Sequence, residues 1–216
     1  MRPDERMPPA TPTVFVVDDD VSVRESLESL IRWTGWQPET FASARAFLSR
    51  PRARAPSCLV LDVGLPDLNG LDLQTLVADR TDMPIIFITG CGDVPMTVRA
   101  MKAGAVEFLT KPFGDDALLS AIRDAIGRSS ATLDREAELQ GLRDSYASLS
   151  RRERQVMALV VRGRLNKQVG GELGISEITV KAHRGRMMRK MHAGSLADLV
   201  NMAAKLGLAA AAEPIP

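Results

Sequence analysis

The 216-residue chain is 45% hydrophobic and 25% charged, an ordinary globular composition. Its net charge of +1 conceals an acidic front of −6 over residues 1–145 and a basic back of +8 over residues 146–208. The asymmetry predicts two units, with nucleic acid as the partner of the basic one. Two cysteines, Cys58 and Cys91, exclude a disulfide scaffold and a zinc cluster, and both histidines, His183 and His192, lie in the back, which excludes a histidine-based centre in the front. No apolar run approaches the roughly 18 residues of a membrane span. The start, Met1 to Arg6, has no apolar segment of the kind a signal peptide needs, so a cytoplasmic protein without membrane contact is expected.

In chain order, Thr13–Val17 is β-branched and unbroken, as a buried parallel strand should be, and it runs into Asp18-Asp19-Asp20. Val23, Leu27, Leu30 and Ile31 repeat at helical spacing until Gly35. Residues 36–42 predict a weaker strand interrupted by Pro38, and residues 43–50 a short helix. Cys58–Leu61 is a second apolar strand ending at Asp62, followed by an amphipathic segment over 68–78. Residues 84–88 predict a third buried strand ending at Thr89-Gly90, and 95–103 a helix. A short strand over 106–109 precedes Lys111-Pro112, and a helix over 115–126 closes the front before a boundary at Gly127–Ser130.

Strands alternating with helices predict an α/β fold, a doubly wound five-stranded parallel sheet, whose site lies outside the carboxyl ends of the strands. That rule gathers Asp18, Asp19, Asp62, Thr89 and Lys111 along one end of the sheet. Singly, each reads as a turn or capping residue. Jointly, the carboxylates need a cation between them, and Mg²⁺, a hard ion taking oxygen ligands, suits them and brings a phosphoryl group. Lys111 and Thr89 can neutralise and hydrogen-bond phosphoryl oxygens, with Asp62 as nucleophile. Phosphoryl transfer rests on positioning and charge neutralisation, so no histidine base is required.

Past the boundary, Leu139, Leu142, Tyr146 and Leu149 step as a helical linker or coiled-coil stub would. Ser150-Arg151-Arg152-Glu153 is a capping box opening a helix. Residues 166–173 form a second short helix, Gly174-Ile175 a turn, and Ser176 the cap of a third helix from Glu177 to about Met191. Ser195 begins a fourth, with Leu196, Leu199, Val200 and Ala203 on one face. This is a small all-α helix-turn-helix candidate. On its third helix, Val180, Met187 and Met191 form the predicted buried stripe, Lys181, Arg184, Gly185 and Met188 the opposite face, and Arg186, Arg189 and Lys190 the flanks. Gly170-Gly171 weaken the second helix by about 1 kcal/mol each relative to Ala.

Residues 13–127 resemble the receiver domain of two-component response regulators. The resemblance is carried by Val16–Asp20, Leu61-Asp62 with Leu65-Pro66 and Gly70, Ile88-Thr89-Gly90, Gly104-Ala105 and Phe108–Phe113. It implies a flavodoxin-like sheet, with Asp62 as phosphoacceptor. Mg²⁺ (or Mn²⁺) would be held by Asp18, Asp19, Asp62 and the backbone carbonyl of Gly64, with Lys111 pairing with the acyl phosphate. Thr89 and Phe108 would form a switch pair, and Asp20 would cap the following helix. Gly64 offers no side chain where phosphoryl lifetime is tuned in the family. Cys91, beside the switch threonine, reads as a small semi-buried filler. A rival remains in the Asp-x-Asp motif at Asp18-Asp19-Asp20, which fits haloacid-dehalogenase-like phosphatases with Asp18 as nucleophile; no acidic pair follows Lys111 at a fourth strand end to support it.

Residues 149–208 resemble the LuxR/FixJ-type DNA-binding domain through Leu149–Glu153, Asn166-Lys167-Gln168, Glu172–Ser176, Thr179-Val180-Lys181 with His183, and Met187–Met191. The pairing, across a helical linker at 128–148, is similar to FixJ/StyR-type transcription regulators. It implies a sensor histidine kinase, promoter DNA bound as a phosphorylation-dependent homodimer, and RNA polymerase as partners, with activation the expected output. The implied DNA-binding set is Lys167, Thr179, Lys181, Arg184, Arg186, Arg189 and Lys190, with Leu196, Leu199, Val200 and Ala203 as the dimer contact on DNA. His183 is expected to pack or touch phosphate, and Gly185 replaces a side chain at a groove-facing position.

Overall fold

The computed structural model describes residues 11–52, 55–90, 92 and 94–208. The chain separates into two compact units that divide between Asp134 and Arg135. In the first, β1 (Thr13–Val17), β2 (Gln37–Phe41), β3 (Ser57–Asp62), β4 (Ile85–Thr89) and β5 (Glu107–Thr110) form one sheet in the order β2-β1-β3-β4-β5, and every pairing is parallel. Between them run α1 (Val21–Trp33), α2 (Ala44–Leu48), α3 (Gly70–Leu76) and α4 (Val94–Lys102), and α5 (Asp115–Ala147) follows β5.

The alternation of side chains along each strand builds two cores. Phe15, Val17, Leu59, Leu61 and Phe87 pack on one face with Phe47, Leu73 and Ala100 from α2, α3 and α4. Val14, Val16, Val60, Ile86 and Ile88 pack on the other with Leu27 and Ile31 of α1 and Leu118 and Ile122 of α5. Because helices cover both faces, the central strands carry no polar alternation, which is why they read as unbroken apolar runs. Register then fixes the site. Val17 lies opposite Leu61, Asp62 opposite Ile88, and Thr89 opposite Thr110, so Asp18, Asp62, Thr89 and Lys111 all emerge at one end of the sheet.

The helix expected over 115–126 and the helical linker expected over 128–148 are one element. α5 continues unbroken to Ala147, and Ser129 is fully buried. Its hydroxyl accepts from Ser57 N at 2.8 Å and donates to the Asp82 carbonyl, tying α5 to the loops that begin β3 and β4. Gly127 adopts helical backbone because nothing local opposes it, and the packing beyond it outweighs its low propensity.

In the second unit, α6 (Arg151–Val160), α7 (Asn166–Leu173), α8 (Glu177–Lys190) and α9 (Leu196–Lys205) surround a core of Leu149, Val156, Met157, Val160, Val169, Val180, Met187, Met191, Leu199 and Ala203. The capping box is complete: Ser150 Oγ accepts from Glu153 N, and Glu153 Oε2 accepts from Ser150 N at 2.8 Å. Ser176 and Ser195 cap α8 and α9 as expected. The first of the paired glycines has a steric reason: a Cβ on Gly170 would stand 2.7 Å from the Ile175 carbonyl oxygen, so the turn between α7 and α8 closes directly on it. Gly171 faces open space.

Candidate functional site

β1 and β3 deliver Asp18 and Asp62 side by side, and both are buried. Lys111, directly after β5, places its Nζ 2.7 Å from Asp18 Oδ2 and 3.0 Å from Asp62 Oδ1. Each remaining carboxylate oxygen takes a backbone donor, Asp18 Oδ1 from Asp20 N at 2.9 Å and Asp62 Oδ2 from Gly64 N at 2.7 Å. Burial pulls the Lys111 ammonium down, but the hydrogen bonds and charges of Asp18 and Asp62 outweigh it, so its pKa lies above the ordinary lysine value. The cation is thereby held charged between two acids. The peptide joining Lys111 to Pro112 is cis.

Thr89, at the end of β4, is buried, and Phe108 in β5 is half-buried with its ring 6.0 Å from that of Phe87. Asp19 is exposed, and Asp20 is engaged as the cap of α1, accepting from Ser22 N at 2.8 Å. That leaves the Asp-x-Asp reading without its second acid at the site. Among the described residues, no three His, Cys, Asp or Glu side chains converge as a metal-holding group. Asp18 and Asp62 meet on Lys111, and Asp19 follows Asp18 in the same loop, exposed. Two carboxylates plus water and phosphate oxygens are nevertheless a usual Mg²⁺ donor set, so the residues present fit that ion. Cys91 lies outside the described residues.

Four further residues, Arg24, Asp67, Gly70 and Gly92, shape this end of the sheet. Arg24 Nη1 donates to the carbonyls of Asp18 at 2.7 Å and Asp19 at 2.9 Å, clamping the acidic loop from the first turn of α1. Asp67 accepts from Ala44 N at 3.2 Å and Arg45 N at 3.0 Å, joining the loop after β3 to the start of α2, and these backbone donors, Arg45 foremost, hold its pKa below the ordinary value. A Cβ on Gly70 would lie 2.6 Å from the Asp62 carbonyl oxygen, so α3 can start against the Asp62 peptide only with glycine there. A Cβ on Gly92 would meet Phe108 Cε1 at 2.8 Å, so Gly92 lies against that ring. Only Gly70 carried a sequence signal, through the motif in which it stands.

In the second unit, Val180, Met187 and Met191 form the buried stripe of α8 as predicted. The opposite face differs. Met188 is half-buried against the core, and Arg184 is half-buried with its Nη1 3.2 Å from Asn166 Oδ1 on α7. The exposed positions of α8 are Glu177, Ile178, Lys181, Ala182, Gly185, Arg186, Arg189 and Lys190, among which Ile178 and Ala182 were not anticipated. Lys181 Nζ lies 3.4 Å from Glu177, and Thr179 Oγ1 lies 2.8 Å from Ser176 Oγ at the helix start. Lys167 is exposed near the start of α7.

Packing within the second unit engages residues of two of the predicted sets. Lys190 is a structural cation: its Nζ lies 2.7 Å from the buried Glu153 carboxylate and 3.1 Å from the Ser148 carbonyl. Chiefly because of that bond, aided by Ser150 N–H, the Glu153 pKa falls to about 2. Leu199 and Ala203 are wholly buried within their own domain, while Leu196 is exposed and Val200 half-buried on that helix face, so of the expected dimer-contact residues these two are the ones presented outward. His183 is half-buried, and its Nδ1 has no hydrogen-bond partner, as a packing residue would show.

With this geometry in place, comparison with known proteins is direct. The response regulator receiver domain family matches residues 14–123, and the bacterial regulatory proteins of the luxR family match residues 147–203. Nodulation protein W of Bradyrhizobium diazoefficiens is 52% identical over 198 residues, covering 91% of this chain and 87% of its own. Transcriptional regulatory protein FixJ of Azorhizobium caulinodans is 43% identical over 211 residues, covering 97% of this chain and 100% of its own. Among solved structures, response regulator StyR superposes with a TM-score of 0.83 at 48% identity, covering 91% of this chain and 100% of its own. The chain belongs to the response regulators that join a receiver domain to a LuxR-type DNA-binding domain, and is thus a two-component transcriptional regulator and not a classical enzyme. No helix among the described residues is long and apolar enough to cross a membrane.

Proposed function

We propose that Asp62 accepts a phosphoryl group from the histidine of a partner sensor kinase and that the resulting acyl phosphate turns the chain into a dimeric, promoter-binding activator. The observation that carries this reading is the shared Lys111 ammonium between two buried carboxylates at the end of the sheet. An Asp62 oxygen attacks phosphorus as the histidine N–P bond breaks, and Lys111 moves its pairing from the carboxylate to the incoming phosphoryl oxygens. Asp18, Asp19, Asp62 and the Gly64 carbonyl would hold Mg²⁺ (or Mn²⁺), which supplies charge neutralisation to the phosphoryl oxygens. Thr89 then donates its hydroxyl to the phosphoryl group, and the Phe108 ring turns inward. The same pocket assists its own dephosphorylation, and Gly64 places no side chain beside Asp62 Oδ2 to tune it.

The receiver function is assigned to residues 13–127, a helical connection to 128–148 and DNA binding to 149–208, acting in the cytoplasm. Within the last, Lys181, Arg186 and Arg189 lie exposed on α8 for base and phosphate contact, with Lys167 and Thr179 at neighbouring helix starts. Two copies on adjacent half-sites gain avidity without new base contacts, and RNA polymerase is the downstream partner. The test is intact mass after incubation with Mg²⁺ and acetyl phosphate, on wild type and Asp62→Asn, coupled to promoter-DNA binding. A phosphate adduct in wild type alone, with tighter DNA binding, is the expected result. Labelling of Asp62→Asn would move the nucleophile to Asp18, and labelling without tighter DNA binding would leave a phosphate sink.

A further inference from the structure

Ile178, the second residue of α8, is 80% exposed and takes no part in the hydrophobic core of its unit. A scattered surface aliphatic carries no inference by itself. Ile178 differs in its position. It begins a row of exposed residues on one helix face, Ile178, Lys181, Ala182 and Gly185, at spacings of three, four and seven. It also stands in the first turn of the helix that follows the Gly174 turn, where α7 and α8 pack together as a helix-turn-helix pair. In such pairs the first residues of the second helix meet base edges in the major groove. The next two outward positions after Lys181 end in a methyl group and a hydrogen, so no bulky side chain holds the helix away from the groove floor.

A branched aliphatic side chain at a groove floor has one complementary partner. Guanine, adenine and cytosine present hydrogen-bonding groups there, whereas thymine adds the C5-methyl group. We propose that Ile178 reads the methyl group of one thymine in each half-site, making it a specificity-determining residue, while the neighbouring Lys181 supplies the polar contact to an adjacent base. This inference rests on the DNA-binding reading of the second unit. Against a polar base edge the same side chain would desolvate hydrogen-bonding groups without replacing their partners, so preference for thymine arises from both attraction and exclusion.

The experiment uses full-length protein treated with acetyl phosphate and Mg²⁺. Duplexes are first enriched from a random library, and each thymine of the enriched half-site is then replaced singly by deoxyuridine, which pairs identically but lacks the methyl group. Wild type is expected to lose about fourfold in affinity at one thymine per half-site, the value of one apolar carbon removed from water. Ile178→Ser, whose melting curve should match wild type because the site is exposed, is expected to bind the thymine and uracil duplexes equally at that position. Equal penalties in both proteins at every position, or a wild type that distinguishes thymine from uracil nowhere, would overturn the assignment of Ile178 and leave DNA binding standing. Failure to enrich any sequence, together with binding insensitive to salt, would overturn the DNA-binding reading itself.

Discussion

Replacing Lys190 by methionine separates a structural cation from a phosphate contact. Glu153 is 3% exposed, and its carboxylate is held by Lys190 Nζ at 2.7 Å and Ser150 N at 2.8 Å. The fall of its pKa from 4.5 to about 2 corresponds to about 3 kcal/mol of preference for the charged form in the folded state. Lys190 is the largest contributor, so its removal should cost roughly 2 kcal/mol, shared between the lost bond and a buried acid left with only its cap. Because the folded-state pKa is depressed, this contribution is complete above pH 4.5 and is lost as pH falls toward 2. The difference between wild type and Lys190→Met should therefore be constant near neutrality and shrink across that acid window. The two tryptophans, Trp33 and Trp36, both lie in the receiver, so a transition visible by circular dichroism but silent in tryptophan fluorescence reports the DNA-binding unit. Lys190→Met should lower that transition while leaving the slope of log K against log salt unchanged. An unchanged transition with a slope reduced by about 0.9 would refute the structural role and restore Lys190 as a phosphate contact.

Other substitutions follow from the same packing. Gly170→Ala should destabilise the second unit by about 1–3 kcal/mol because its methyl group meets a backbone oxygen, whereas Gly171→Ala should stabilise it by up to about 1 kcal/mol; the same melting transition gives opposite shifts. Ser129→Ala strands the buried Ser57 N–H and the Asp82 carbonyl, and should cost about 2 kcal/mol in the transition followed by tryptophan fluorescence. Leu199→Ala should cost about 2–4 kcal/mol in the second unit, while Leu196→Ala changes its melting little, which distinguishes the core positions of α9 from its exposed one.

The receiver was legible because its signals are local and redundant. Each central strand is a short apolar run ending in a residue with chemistry, so strand order and register carry Asp18, Asp62, Thr89 and Lys111 to one place without any side-chain detail. What stayed hidden depends on long-range contact. The burial of Ser129 requires a loop 72 positions earlier in the chain, and the clamp by Arg24 requires the carbonyl direction of a turn. A hydroxyl after glycine looks like a linker unless its partners are known.

The recognition helix shows why a helical wheel misplaces a functional face. A wheel drawn for one buried stripe assumes one neighbour, and places Arg184 and Met188 directly outward. α8 instead packs against both α6 and α7. Two neighbours widen the buried arc from both sides, drawing Met188 into the core rim and Arg184 toward Asn166. The outward face therefore narrows to the row from Ile178 through Gly185, with Arg186 and Arg189 beside it. Lys181 and Arg186 lie at its margins and Arg189 at its far end, while Ile178, Ala182 and Gly185 hold the middle of its first turns, where base shape and methyl groups can be read.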